Sequence, residues 1–231
     1  MARTAAEILD RTAAVVPAYN AGSYLASVIA NIRRFLPANR IVVVDDGSTD
    51  GTNDIARNAG VVVVAHGVNQ GKGAALKSGA LKAIELGMEY IVTLDADGQH
   101  DAAEIPRFAE HAGRSGADII VGNRMDNRKD MPFIRIFANT ATSSFVSLRT
   151  GIRIPDSQNG FRMLRTSIFK KIDLVTRRYD TESEILIKTA GLGGRIDSIP
   201  VETIYGTETS SVHPFVDTLR FFRMVIRSLF W

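Results

Sequence analysis

Two acidic residues, Asp95 and Asp97, flank Ala96 and are followed by Gly98 and Gln99, directly behind the run Tyr90–Leu94. Tyr90, Ile91, Val92, Thr93 and Leu94 suit a buried strand, and the Asp-Gly turn signal marks its end. Alternate residues of an extended segment point the same way. Asp95 and Asp97 can therefore face one cation, without which two adjacent carboxylates would repel. Oxygen ligands select hard ions, so the expected metal is Mg²⁺ or Mn²⁺, with Gln99 as a neutral third oxygen. The competing reading is an ordinary solvated turn, since Asp and Gly are common turn residues.

Other residues gain meaning beside this pair. Asp45 and Asp46 close a second apolar run. A strand-end carboxylate can accept hydrogen bonds from a nucleobase or a ribose, and Asp46 or Ser48 can equally cap a helix. Gly67–Gly73 (GVNQGKG) is spaced to let backbone N–H groups approach an anion at a helix N-terminus. It is not a Walker loop: three residues instead of four precede Gly71-Lys72, and Gly73 replaces the metal-binding hydroxyl. Lys72 is placed for a diphosphate or is a solvated lysine. Arg124 and Arg135 flank a basic stretch and carry forks that suit phosphate oxygens, or they are surface charges. His66, His100, His111 and His213 lack metal-ligand spacing, and His100 is expected as a turn residue. Glu182 and Glu184 open a helix, where they favour its dipole or reach the cleft.

The elements that must position these groups follow from periodicity. Ala13–Val16, Arg40–Asp45, Val61–Ala65, the run before Asp95, and Asp118–Val121 are expected strands. Helices are expected over about 22–35, 52–59, 74–86 and 102–112. This alternation demands a mostly parallel sheet with right-handed crossovers. After Gly122 the pattern loosens into a polar, basic stretch, Asn123–Asp130. A helix over about 132–149, a return to the sheet over Asp156–Leu164, a helix at Thr181–Ala190 and a strand at Gly194–Val201 come next. Pro214–Trp231 reads as an amphipathic helix with Phe222, Val225, Ile226 and Leu229 on one face and Arg220, Arg223 and Arg227 on the other. It packs on the domain or lies in a membrane interface.

With 231 residues the chain fills one α/β domain, and a net charge of +3 is too mild to point to nucleic acid. It has no cysteine, which excludes disulfides and thiolate metal sites and fits a reducing compartment. The acids within the N-terminal apolar portion argue against a signal peptide, and no apolar stretch is long enough to span a bilayer.

Six ordered blocks carry a resemblance: VVPAYN (15–20), VVDDGSTDGT (43–52), NQGKGAAL (69–76), LDADGQH (94–100), VGNR (121–124) and DSQNGFR (156–162). Together they resemble family 2 glycosyltransferases of the GT-A fold, in the branch with dolichyl-phosphate mannose synthases and bacterial polyprenyl-phosphate sugar transferases. The resemblance implies a Rossmann-like, mostly parallel mixed sheet flanked by helices. It implies a catalytic domain over 1–212, with a donor half at about 13–122 and an acceptor half at about 123–212, and the amphipathic helix over 213–231.

The implied activity is inverting, metal-dependent transfer of a hexose from a UDP- or GDP-sugar to a polyprenyl phosphate. By that similarity Pro17, Ala18, Tyr19, Asn20, Val44, Asp45, Asp46, Lys72 and Ala96 contact the nucleotide sugar. Asp95 and Asp97 serve the diphosphate, with Asp97, Gln99 and Asp95 as metal ligands. Arg124, Arg135 and Arg162 take the acceptor phosphate, and Asp156 sits near the reacting centre. The implied location is the cytoplasm, peripheral at the cytoplasmic membrane face, on the lipid surface or beside a membrane-embedded partner subunit.

The chain departs from that pattern in three places. Ala21 stands where many relatives have Glu. ETIYGTETSSV offers Thr203 and Ser211 where mannose synthases carry basic residues. Many bacterial members continue into transmembrane helices, whereas this sequence stops at Trp231, as a soluble form, a truncation or a subunit with a membrane partner would. The alternatives are transfer to a hydroxyl acceptor, with Asp156, Glu182 or Glu184 as base, and a non-catalytic nucleotide-sugar-binding module.

Overall fold

The computed structural model describes residues 3–126, 131, 133–178, 180–204 and 228, with the backbone alone at 134 and 135. The expected helix over Pro214–Trp231, apart from Ser228, and Ser211 lie outside the described residues, as does part of the basic stretch, 127–130.

The apolar runs form the strands expected of them. In chain order the elements are α1 (Ala5–Leu9), β1 (Thr12–Ala18), α2 (Leu25–Ile32), β2 (Ile41–Asp45), α3 (Thr52–Asn58), β3 (Val62–Ala65), α4 (Lys72–Glu85) and β4 (Tyr90–Thr93). They continue with α5 (Ile105–Ser115), β5 (Ile119–Asn123), α6 (Phe133–Thr150), β6 (Arg162–Arg165), α7 (Thr166–Phe169), α8 (Thr181–Gly191) and β7 (Ile196–Pro200). The seven strands make one sheet in the order β3-β2-β1-β4-β6-β5-β7.

Every neighbouring pair is parallel except those made by β6, which runs antiparallel to β4 and to β5. The sheet is therefore mixed, as the resemblance implied. Strand polarity puts the C-terminal ends of β1, β2, β4 and β5 on one edge, together with the start of β6. At that edge Arg162 is in register with Thr93 on one side and Val121 on the other. The chain winds from β1 toward β2 and β3, then crosses back to β4 beside β1. That reversal opens the crevice in which ligands of open α/β sheets bind. Asp95–Asp97 follow β4 directly.

Burial on both faces explains the near-continuous apolar strands. Ala14, Val16, Val43, Val92 and Ile120 face one core with α1, α2, α3 and α5. Ala13, Val15, Val42, Ile91 and Ile119 face the other, with α4, α6, α7 and α8. Alternation along each strand supplies both layers.

Differences from expectation have local causes. α1 is an unexpected helix, although its start carries a capping box: Thr4 and Glu7 each accept from the other's backbone N–H. α2 begins three residues later than expected. The N–H groups of Ala21 and Gly22 are taken by Thr52 Oγ1 at 2.9 Å and Asp50 Oδ2 at 2.8 Å, which holds that stretch in a turn. β6 starts at Arg162 instead of Asp156, because residues 156–161 turn back to bind other elements.

Gly73, in the first turn of α4, meets the start of α8: a Cβ there would lie 1.9 Å from Thr181 Oγ1. Gly73→Ala should therefore cost about 1–3 kcal/mol by overpacking, read from urea unfolding. Gly191→Ala, with nothing within 4 Å of its Cβ position, should leave the midpoint nearly unchanged. Equal midpoints for the two variants would refute the close α4–α8 junction.

Candidate active site

The loops after β1 and β2 are clasped to each other. Asn20 holds a left-handed backbone, φ 50°, and donates its N–H to Ser48 Oγ at 2.9 Å, while its Oδ1 accepts the N–H of Thr49 at 2.9 Å. Asn tolerates this conformation better than most residues. Asp45 is buried at the end of β2, accepting from Ser48 N–H at 3.0 Å and Asn53 Nδ2 at 2.9 Å. The clasp leaves the ring of Tyr19 half exposed beside Pro17. Ala18, Val44 and Ala96 are buried and can offer a ligand little but backbone or wall.

The glycine loop has a different task from the one expected. Its Gln70 and Gly71 N–H groups donate to the two oxygens of Asp46 at 2.9 and 2.8 Å, and Ala74 N–H donates to Arg177 O at 3.2 Å. The anion at the start of α4 is thus the protein's own carboxylate, so the phosphate cradle is corrected. Asp46 anchors that loop. His66 secures Asp46 further, with Nδ1 at 2.7 Å from Oδ1 and Nε2 at 2.9 Å from Ser78 Oγ.

Lys72 points into the crevice. Its Nζ lies 2.7 Å from Asp95 Oδ1 and 2.9 Å from Glu182 Oε1. Its charge here serves two carboxylates. Burial opposes the ammonium, but Asp95 and Glu182 outweigh it and raise its pKa above the usual lysine value. Burial likewise opposes the Asp95 carboxylate, yet Lys72, His100 and Arg124 hold its pKa down at about 2. Breaking such a buried pair by removing one partner costs on the order of 3–5 kcal/mol.

His100 is more than a turn residue. Its Nδ1 accepts the backbone N–H of Asp95 at 3.0 Å, and its ring stacks on Phe161 with centroids 5.1 Å apart. Burial pushes the imidazole down to about 4; Asp95 opposes that shift, and Arg124 and Lys72 add to it. The ring is therefore neutral at physiological pH and fixes the backbone of the Asp95–Asp97 turn.

On the far side, Arg124 Nε donates to Asp156 Oδ2 at 2.8 Å and Nη2 to Oδ1 at 3.0 Å. Asp156 is fully buried and also accepts Arg124 N–H at 3.2 Å. It orients the Arg124 side chain. Arg162 is engaged within the protein as well. Its guanidinium is buried and donates to the carbonyls of Asn159, Glu182 and Ser157, each at 2.7 Å. It ties the DSQNG turn to α8. Arg135 lies in the first turn of α6, and its side chain is outside the described residues. Glu184 is buried, accepting from the N–H groups of Val175 at 2.9 Å and Thr176 at 2.8 Å. Only Glu182 of that pair reaches the cleft.

Asp97 and Gln99 are partly exposed on the turn beyond β4, and Asp97 Oδ1 accepts Gln99 N–H at 3.0 Å. The donor set available is one carboxylate and one amide oxygen, with Asp95 behind them. Among the described residues no group of three or more His, Cys, Asp or Glu side chains could hold a metal. An all-oxygen set this sparse fits a hard cation that takes its remaining ligands from phosphates and water.

Comparison with known proteins accords with this geometry. The model for glycosyl transferase family 2 matches residues 13–173. The chain belongs to glycosyl transferase family 2. Among curated relatives of this glycosyltransferase, the UDP-N-acetylglucosamine–dolichyl-phosphate N-acetylglucosaminyltransferase of Methanococcus voltae is 32% identical over 213 residues, 83% of this chain and 84% of the relative. The undecaprenyl-phosphate mannosyltransferase of Micrococcus luteus is 30% identical over 202 residues, 83% of this chain and 82% of the relative. In three dimensions the glycosyltransferase superposes on glucosyl-3-phosphoglycerate synthase of Mycobacterium tuberculosis, solved with Mn²⁺ and UDP-glucose. The TM-score is 0.74 at 20% identity, covering 98% of this chain and 82% of that one. The fold is GT-A, as the sequence blocks implied.

The depressed His100 pKa makes stability depend on pH in a defined window. Between the unfolded value of 6.5 and about 4 in the fold, the unfolded chain binds more protons, so stability falls as pH drops through that range. Asp95, lowered from 3.8 to about 2, contributes stability that is lost only below 3.8. In EDTA, His100→Asn should keep an acceptor for Asp95 N–H yet flatten the slope of unfolding free energy between pH 6.5 and 4. An unaltered slope would show that another group sets it.

Proposed function

We propose that this glycosyltransferase moves a hexose from a UDP- or GDP-linked donor to the phosphate of a polyprenyl phosphate, with inversion. The observation that carries the reading is the lip beyond β4. There Asp97 and Gln99 are partly exposed, and the fork of Arg124 is held in place by Asp156. The names of the two curated relatives support the acceptor class, and the fold's likeness to an Mn²⁺- and UDP-glucose-bound enzyme supports a metal and a nucleotide sugar.

In this reading residues 13–122 hold the donor and 123–212 the acceptor. Tyr19 and Pro17 flank the base, and Asp45 backs the clasped loops that line the nucleotide. Asp97 and Gln99 hold a divalent ion, which when bound stabilises charge on the departing diphosphate. Arg124, oriented by Asp156, draws the acceptor phosphate to the anomeric carbon. A single displacement breaks the bond from that carbon to the diphosphate oxygen and forms one to the acceptor oxygen. A phosphate acceptor is already anionic near neutral pH and needs no general base. Burial and internal bonding of Asp156 and Glu184 agree with this, for both were base candidates for a hydroxyl acceptor.

The lipid substrate calls for contact with a membrane. No helix among the described residues is long and apolar enough to cross one. On α6, however, Phe133 and Phe137 are 83% and 67% exposed one turn apart. They suit shallow insertion at the cytoplasmic face of the membrane.

Two measurements test this reading. Asp97→Ala, assayed with Mn²⁺, UDP- and GDP-hexoses and a short-chain polyprenyl phosphate, should lose about 100-fold or more in turnover with an unchanged melting temperature. Near-normal turnover would refute the metal assignment. Phe133→Ser/Phe137→Ser should bind anionic vesicles about tenfold more weakly while using a water-soluble short-chain acceptor as well as the parent. Undiminished vesicle binding would move the membrane contact elsewhere.

A further inference from the structure

Asp95 and Glu182 come from distant parts of the chain, and both end on one ammonium, that of Lys72. The geometry points to Lys72 as the resident counter-cation of the site: it blocks divalent ions from Asp95 in the donor-free enzyme and passes to the donor's diphosphate when that arrives. The inference rests on the reading above of Asp97 and Gln99 as ligands of the ion.

Three observations carry it. Lys72 Nζ sits at 2.7 Å from Asp95 Oδ1, within the space a metal bound to that oxygen would need. Two cations on one carboxylate oxygen repel strongly where water is scarce. The ammonium is also delivered rigidly. Lys72 begins α4, Glu182 lies in the first turn of α8, and the two helix starts touch at Gly73 and Thr181. Finally, among the described residues no group of three or more His, Cys, Asp or Glu could hold a metal, and a shell completed by donor phosphates suits so sparse a site. Those phosphates give Lys72 a new anion and release Asp95 toward the metal. A lysine suits this better than an arginine, being a compact charge on a flexible stem. The site thereby favours the metal–donor complex over the metal alone.

The decisive measurement is Mn²⁺ binding without nucleotide, by calorimetry or by the electron paramagnetic resonance signal of free Mn²⁺. Lys72→Met should bind Mn²⁺ at least about tenfold more tightly than the parent, and Lys72→Arg should match the parent. Its KM for the donor, at saturating Mn²⁺, should rise more than its kcat falls. Removing the ammonium exposes two buried carboxylates to each other, so Lys72→Met can fail to fold. In that case Lys72→Met/Glu182→Gln is compared with Glu182→Gln, which keeps Lys72 on Asp95. Equal Mn²⁺ affinities within the folded pair would overturn the inference. Sugar transfer by the parent enzyme is read in a separate assay, so failure of the counter-cation role and failure of the proposed reaction are distinguishable.

Discussion

Carboxylates gathered at the lip of a sheet must be neutralised, and the rest of this site follows from how that is done. Asp95 and Glu182 are brought within 3 Å of Lys72, while Asp156 is neutralised by the fork of Arg124. Burial opposes the Asp95 carboxylate, and Lys72 is the first of the groups that offset it. Both cations, Lys72 and Arg124, also act on Asp95. Asp97 and Gln99, on the turn after Asp95, are partly exposed and carry oxygens of the kind a hard ion selects.

Holding those charges in register requires stiff supports, and much of the loop chemistry supplies them. Asp46 gathers the glycine loop through two N–H groups, so the start of α4 and its Lys72 cannot drift. Arg162 performs the equivalent task across the sheet, binding carbonyls from the DSQNG turn and from α8. His100 fixes the turn between them. Several of the residues that look most chemical in the sequence are therefore engaged in holding loops and helix starts together. Such support is what keeps a polar site preorganised.

Much of the fold was legible because doubly covered strands read as apolar runs and the intervening helices carry clear periodicity. The direction of β6 was not, since Arg-Met-Leu-Arg has the same burial pattern whichever way it runs. The Asp95–Asp97 turn was legible from spacing alone. Glu182 as the second partner of Lys72 was not, for only the folded chain brings α8 against α4. The glycine loop misled for a physical reason. Glycines report freedom of the backbone and close packing, here Gly73 against Thr181, and they do not report which anion their N–H groups meet. An arginine likewise shows no sign in sequence of whether its fork meets a substrate or three carbonyls, as that of Arg162 does.

The placement of β6 also bears on how the chain is made. β5 pairs only with β6 and β7, both of which follow it. On the ribosome β1 to β4 can assemble in sequence, but Ile119, Ile120 and Val121 emerge with no strand to join until residue 165 has cleared the exit tunnel. During that interval a short, greasy edge is open to neighbouring chains, the condition under which nascent proteins stick to one another. The antiparallel insertion that seats Arg162 at the heart of the mature enzyme thus carries a hazard during its synthesis.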